Sequence, residues 1–138
     1  MQAWTYPATF ERLDGEIVVR FAEVPEALTG AANEAEARDL AADALAVALG
    51  YYLDIGRDLP TPRHAATGEV AISLAPDVAA RAMLLRAMKD QRVNKVALAA
   101  RMGRDEKVAR RIVAGKGVSL DLTLAALKAV GIRPSLAA

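Results

Sequence analysis

The chain has no cysteine, which excludes disulfides and thiolate metal sites. Aromatic residues are scarce, at 4%, and the bulk of the apolar content is Ala, Leu and Val. That composition favours helices packed closely over a core of large rings. No apolar run reaches the roughly 18 residues of a membrane span. The opening residues, MQAWTYPATFERLDGE, lack the pattern of a secretory signal. A soluble cytoplasmic protein with no membrane attachment is the expectation.

Core-forming material is nevertheless plentiful. Hydrophobic residues make up 54% of 138, enough for one ordinary domain or two small ones. The net charge of +1 conceals an asymmetry. Residues 1–75 carry 5 Lys/Arg and 12 Asp/Glu, a balance of −7, whereas residues 76–138 carry 13 and 5, a balance of +8. Such a split suggests two partners of opposite charge, or halves that attract each other or further copies.

The acidic half opens with Trp4, Tyr6, Ala8 and Phe10 alternating with Thr5, Pro7, Thr9 and Glu11, the period of a strand with one buried face. Asp14-Gly15 is a hairpin signal, because both residues tolerate positive φ. Ile17 to Phe21 makes the second strand and Ala27 to Ala31 a short third. Asn33 is a good N-cap with Glu34 and Glu36 in the first turn. Ala37, Leu40, Ala41, Ala44, Leu45, Ala48, Leu49 and Tyr52 then recur at helical spacing to about Ile55. Val70, Ile72 and Leu74 share one face of a last strand. The expected class is α+β: a β-β-β-α-β domain over 1–75, then an all-α domain over 76–138.

In the basic half a helix is expected from Val78 to about Asp90, its buried stripe drawn from Met83, Leu84, Ala87 and Met88. Beyond it, Asn94 to Gly131 carries the strongest motif. Asn94 caps a helix, Leu98 and Met102 share a face beside small Ala99, and Gly103 supplies the left-handed turn. Asp105 caps a second helix with Ala109 and Ile112 inward, and Gly115 ends it ahead of the basic Lys116-Gly117 loop. Two short helices about a glycine turn are the layout of a helix-turn-helix, which sets its second helix in the major groove of DNA.

Leu98, Ala99, Met102, Gly103, Ile112, Gly115 and the following SLDLTLAALKAVG resemble the helix-turn-helix of phage-repressor-like (XRE-type) regulators. Arg104, Val113 and Ala114 depart from that pattern. The resemblance implies that Glu106, Lys107 and Arg111, with Arg110 beside them, read base edges. Arg and Lys suit guanine acceptors, and Glu suits the cytosine amino group. Lys95 and Lys116 fit phosphates, which give affinity without sequence information. Such modules read paired half-sites, so a homodimer or tetramer is expected. Met83, Met88, Val113 and residues 122–130 are candidates for the seam, though each also suits a core.

A second series spans most of the acidic half: Tyr6, Phe10-Glu11, Asp14-Gly15, Val19, Phe21, Pro25, Thr29-Gly30, Glu36-Ala37, Ala44-Leu45, Leu59-Pro60 and Pro62. It resembles the HicB antitoxin family, with Ala22 standing where proline is frequent. The resemblance implies a truncated ribonuclease-H-like fold without nuclease activity, which binds and silences HicA, a small basic RNA-cleaving toxin. It also implies repression of the operon through operator DNA. An acidic surface suits a cationic partner, with Glu11, Asp14, Glu16, Glu23 and Glu26 as candidate toxin contacts.

No catalytic set emerges. His64 is a lone loop histidine with no orienting acid nearby. Asp39 and Asp43, four apart, are too common an arrangement to argue for a cation. A metal-dependent nuclease needs convergent carboxylates that the sequence does not display. The expectation is therefore a non-enzymatic antitoxin and autorepressor with no cofactor and no metal. The rival reading is a helix-turn-helix transcriptional regulator whose N-terminal domain senses a ligand or dimerises.

Overall fold

The computed structural model describes residues 4–133. They form two compact units that divide between Ala75 and Pro76. Among the described residues the first unit runs β1 (Thr5–Leu13), β2 (Glu16–Arg20), β3 (Thr29–Ala31), α1 (Glu34–Asp54) and β4 (Val70–Ser73). The strands make one antiparallel sheet in the order β3-β2-β1-β4. The chain therefore has the mixed α+β character expected of it.

The β1–β2 hairpin closes through Asp14 and Gly15, with φ of 52° and 78°. Two successive positive φ values give the mirror-image turn whose twist matches that of paired strands. Pro7 lies inside the central strand β1, an unusual place for a residue with no N–H. The Leu74 N–H donates to the Trp4 carbonyl at 2.8 Å. Alternation then makes Tyr6 and Ala8 bonding positions toward β4, and Pro7, opposite Ala71, owes β4 no donor. Pairing with β2 begins only at Thr9, so that side of Pro7 is free as well. Pro7 is buried along with Tyr6 and Ala8, which breaks the alternation expected at the start of β1.

The core face of the sheet supplies Tyr6, Ala8, Ile17, Val19, Phe21, Ala31 and Ile72. Helix α1 packs across β3, β2 and β4 with Ala37, Ala41, Leu45, Ala48, Leu49 and Tyr52 buried. Its buried Ala and Leu residues, at three- and four-residue steps, are the stripe a core-facing helix needs. The Tyr6 hydroxyl donates to the Pro60 carbonyl at 2.8 Å, and burial pushes its pKa above the ordinary tyrosine value. The third strand is shorter than expected. Val24 and Ala27 N–H groups turn back onto the Phe21 and Val24 carbonyls, so extended pairing starts only at Thr29.

The second unit contains α2 (Pro76–Gln91), α3 (Lys95–Met102), α4 (Glu106–Ala114) and α5 (Leu120–Ala129). Helix α2 begins two residues before Val78, because proline suits the first helical position, where an N–H has no partner within the helix. Leu84, Leu98, Ile112 and Leu127 are fully buried, with Ala80, Ala99, Ala109 and Ala126 between them. Small alanines at these crossings let the helix axes approach closely. Met88 and Val130 belong to this core, and Met83, Val113, Leu122 and Leu124 pack half-buried against it. Most of the residues considered for a dimer seam thus lie in or against the unit's own core, while Ala125 and Lys128 are exposed. Among the described residues no helix is long and apolar enough to cross a membrane.

Candidate functional site

Helices α3 and α4 are fixed by their caps. Asn94 Oδ1 accepts the Ala97 N–H at 2.8 Å, and Asp105 Oδ1 accepts the Lys107 N–H at 2.8 Å. Each such cap stabilises its helix by about 1 kcal/mol. Gly103 and Gly115 end the two helices in the left-handed region, at φ of 64° and 68°. The Arg104 N–H returns to the Ala99 carbonyl, and the Arg104 side chain is exposed. The unusual residue in the turn therefore disturbs no core contact.

Burying Ala109 and Ile112 sets the phase of α4. Lys107, Arg110 and Arg111 are exposed and Glu106 is half-buried. Lys107 and Arg111, four apart, share one row of the helix. Glu106 and Arg110 occupy the next row and pair with each other at 2.8 Å. Reading a base through Arg110 would mean giving up that pair, whereas Arg111 is in no ion pair given by the described residues. Lys95 is exposed in the first turn of α3, and Lys116 is exposed just past Gly115. All six sequence-derived residues thus belong to the α3–α4 segment, with one intrahelical pair among them.

A residue that sequence reasoning missed secures the far end of α4. Arg81, on α2, donates from Nε to the Val113 carbonyl at 2.8 Å. That carbonyl is one of those a helix C-terminus leaves without an intrahelical partner, and a cation there also complements the helix dipole.

The five acidic residues considered as toxin contacts fall into two groups. Glu11, Asp14 and Glu16 are exposed at the end of the β1–β2 hairpin. Glu23 and Glu26 lie between β2 and β3 and are engaged within the chain. Arg63 donates from Nε to Glu23 Oε1 at 2.5 Å, and from Nη1 and Nη2 to the two oxygens of Glu69 at 2.8 and 2.9 Å. The fork on Glu69 is bidentate, the strong geometry for this pair. Together with the Ala66 N–H, it holds the Glu69 carboxyl down at about 2. The other Glu23 oxygen, Oε2, is buried with no hydrogen-bond partner among the described residues. Glu26 Oε1 accepts the Tyr52 hydroxyl at 2.6 Å and Oε2 the Arg57 guanidinium at 3.4 Å. Arg57 also sits 3.9 Å above the Tyr52 ring. The Tyr52 hydrogen bond, ahead of the Arg57 charge, lowers the Glu26 pKa, while burial and Glu26 raise that of Tyr52.

His64 is exposed, and among the described residues only its backbone carbonyl is used, by Arg63 Nη1. Among the described residues no group of three or more His, Asp or Glu could hold a metal ion.

Comparison with known proteins gives one answer throughout. A family model described as "HicB_like antitoxin of bacterial toxin-antitoxin system" matches residues 5–83. Antitoxin HicB 2 of Photorhabdus laumondii is 33% identical over 127 residues, covering 91% of this chain and 90% of its own. Antitoxin HicB of Escherichia coli K12 is 30% identical over 133 residues, covering 95% and 96%. Antitoxin HicB 1 of Photorhabdus laumondii is 33% identical over 108 residues, covering 78% and 68%. The family model stops within α2, but an alignment over 95% of the chain extends through α3 and α4.

Proposed function

This chain belongs to the HicB-like antitoxin family of bacterial toxin–antitoxin systems, and we propose on that premise that it neutralises a HicA-like RNA-cleaving toxin and represses its own operon. The first unit, a truncated ribonuclease-H-like fold, is the toxin-binding part and works without catalysis. The second unit is the operator-binding part, with α3 and α4 as its helix-turn-helix. The protein acts in the cytoplasm as a homodimer or tetramer and needs no cofactor.

The observation that carries this reading is the division of charge between units, −7 before Pro76 and +8 from it onward. An acidic unit attracts a cationic RNA-binding protein, speeds encounter and competes with RNA for the same surface. A basic unit attracts DNA phosphates, with affinity that falls as salt rises. The exposed Lys107–Arg111 row supports α4 as the reading helix, and Lys95 and Lys116 support phosphate contacts beside it.

The test is co-expression of the full chain with a HicA-like toxin, together with operator binding by the purified protein. Rescue of growth and a salt-dependent operator complex are expected. If the chain neither rescues growth nor binds the toxin, the antitoxin reading fails.

A further inference from the structure

A row of apolar side chains runs along the solvent side of α1. Leu40, Ala44, Val47 and Tyr51 fall at three- and four-residue steps and so share one face. Val47 is 75% exposed and Tyr51 56%, while Leu40 and Ala44 are half-buried. The helix's core stripe is a different set, with Leu45, Leu49 and Tyr52 at its centre. The row flanks the core, with buried Ala48 lining the same groove, but Val47 and Tyr51 project well beyond it into solvent. Leu28, 55% exposed, comes alongside from the chain entering β3. β3 is an edge strand of the sheet. Leu28, Thr29 and the α1 row line one open groove.

Carboxylates surround this apolar strip. Asp43 lines the groove, and exposed Glu36 and Asp39 precede it on the helix. Glu26 also reaches the rim, with its carboxylate held by Tyr52 and Arg57. An apolar centre holding an aromatic, with a charged rim, is the anatomy of a protein–protein interface.

We infer that the groove between α1 and β3 is where the basic toxin docks, with Val47, Tyr51 and Leu28 as its anchors. This rests on the antitoxin function proposed above. Charge decides the occupant. A second copy joined by a twofold axis through this face would bring the same Asp43, Asp39 and Glu36 into one interface, like charge near like. A cationic protein gains from those residues instead. The apolar strip then supplies slow dissociation, and the carboxylates supply approach and orientation.

The experiment uses the full chain, a catalytically inactive HicA-like toxin as probe, calorimetric titration and sedimentation. Val47→Glu with Tyr51→Glu is expected to weaken toxin binding at least 100-fold. Leu28→Glu, on a different element, should weaken it at least tenfold. Asp43→Lys should weaken it and reduce its salt dependence. All these positions are exposed, so melting temperature and sedimenting mass should stay at wild-type values. Unchanged toxin affinity in the Val47/Tyr51 and Leu28 variants, with wild type binding well, would overturn the docking site and leave the antitoxin function standing. Loss of self-association with toxin binding intact would assign the groove to a second copy and also overturn it. A wild-type chain that fails to bind the toxin would bring down both.

Discussion

A β-carbon placed on Gly115 would stand 2.8 Å from Cδ of Arg81 and 3.0 Å from its Nε. Those atoms cannot simply swing aside, because Nε is bonded to the Val113 carbonyl at 2.8 Å. Gly115 is thus required twice, by its φ of 68° and by the arginine that crosses it. The end of α4 is held by a residue 32 positions earlier in the chain.

Gly115→Ala is expected to destabilise the second unit by about 1–2 kcal/mol for the left-handed conformation alone, and by more for displacing Arg81. Arg81→Ala should cost about 1 kcal/mol for the lost hydrogen bond. The double variant should be less unstable than the two costs summed, since removing Arg81 relieves the clash. Denaturant titrations of the full chain, followed by helical circular dichroism, measure all three; strict additivity would contradict the contact.

On the proposed docking of α4, Arg111→Ala should cost about 1–3 kcal/mol of operator affinity and relax base preference. Lys116→Ala should weaken all sequences alike and reduce the steepness of the salt dependence. Glu106→Ala releases Arg110 from its 2.8 Å pair, so nonspecific DNA affinity should rise slightly. Operator titrations at several salt concentrations separate these outcomes, and wild-type behaviour in both the Arg111 and Lys116 variants would misplace the DNA face.

Acid should loosen the first unit through Glu69. Arg63 and the Ala66 N–H lower its folded pKa from 4.5 to about 2. A depressed carboxyl adds stability that is fully present above 4.5 and is lost as pH falls through about 2. Melting temperatures measured between pH 5 and pH 2 should therefore drop more steeply in wild type than in Glu69→Gln. The variant should already be less stable at pH 6. Parallel curves would show that the pair contributes nothing.

The acidic residues of the first unit should divide by role. Glu23→Ala removes a partner of Arg63 and Tyr52→Phe removes the 2.6 Å bond to Glu26; each should cost about 1 kcal/mol of stability. Glu11→Gln and Glu16→Gln touch exposed hairpin carboxylates and should stay within about 0.5 kcal/mol. Their effect should instead be slower association with the basic toxin, seen in stopped-flow binding.

What the sequence made legible was local. Asn33 reaches Glu36, Asn94 reaches Ala97 and Asp105 reaches Lys107, so caps could be read from residues two or three apart. The helical phase of α1 and α4 followed from apolar spacing in the same way. Pairs distant in sequence were not legible. Glu23 meets Arg63 from 40 positions away and Glu26 meets Tyr52 from 26, and periodicity does not say which acid will find which base. Besides carrying surface charge, Glu23 and Glu26 tie loops to the sheet unit. Leu40 and Ala44 fit the apolar spacing of the stripe yet are only half-buried, beside exposed Val47 and Tyr51 that lie outside it. Periodicity gives a helix its apolar face but not how far the core extends across that face.

Helix α4 has nine residues, so it is about 14 Å long at 1.5 Å per residue. Base pairs follow one another every 3.4 Å along a duplex, and one such helix therefore spans about four of them. A word of about four letters recurs every few hundred positions by chance, while a genome offers on the order of 10⁶ or more competing sites. The caps at Asp105 and Gly115 fix the length of the word a single copy can spell. On the proposed docking, the operator's address must then be written by several copies reading in phase.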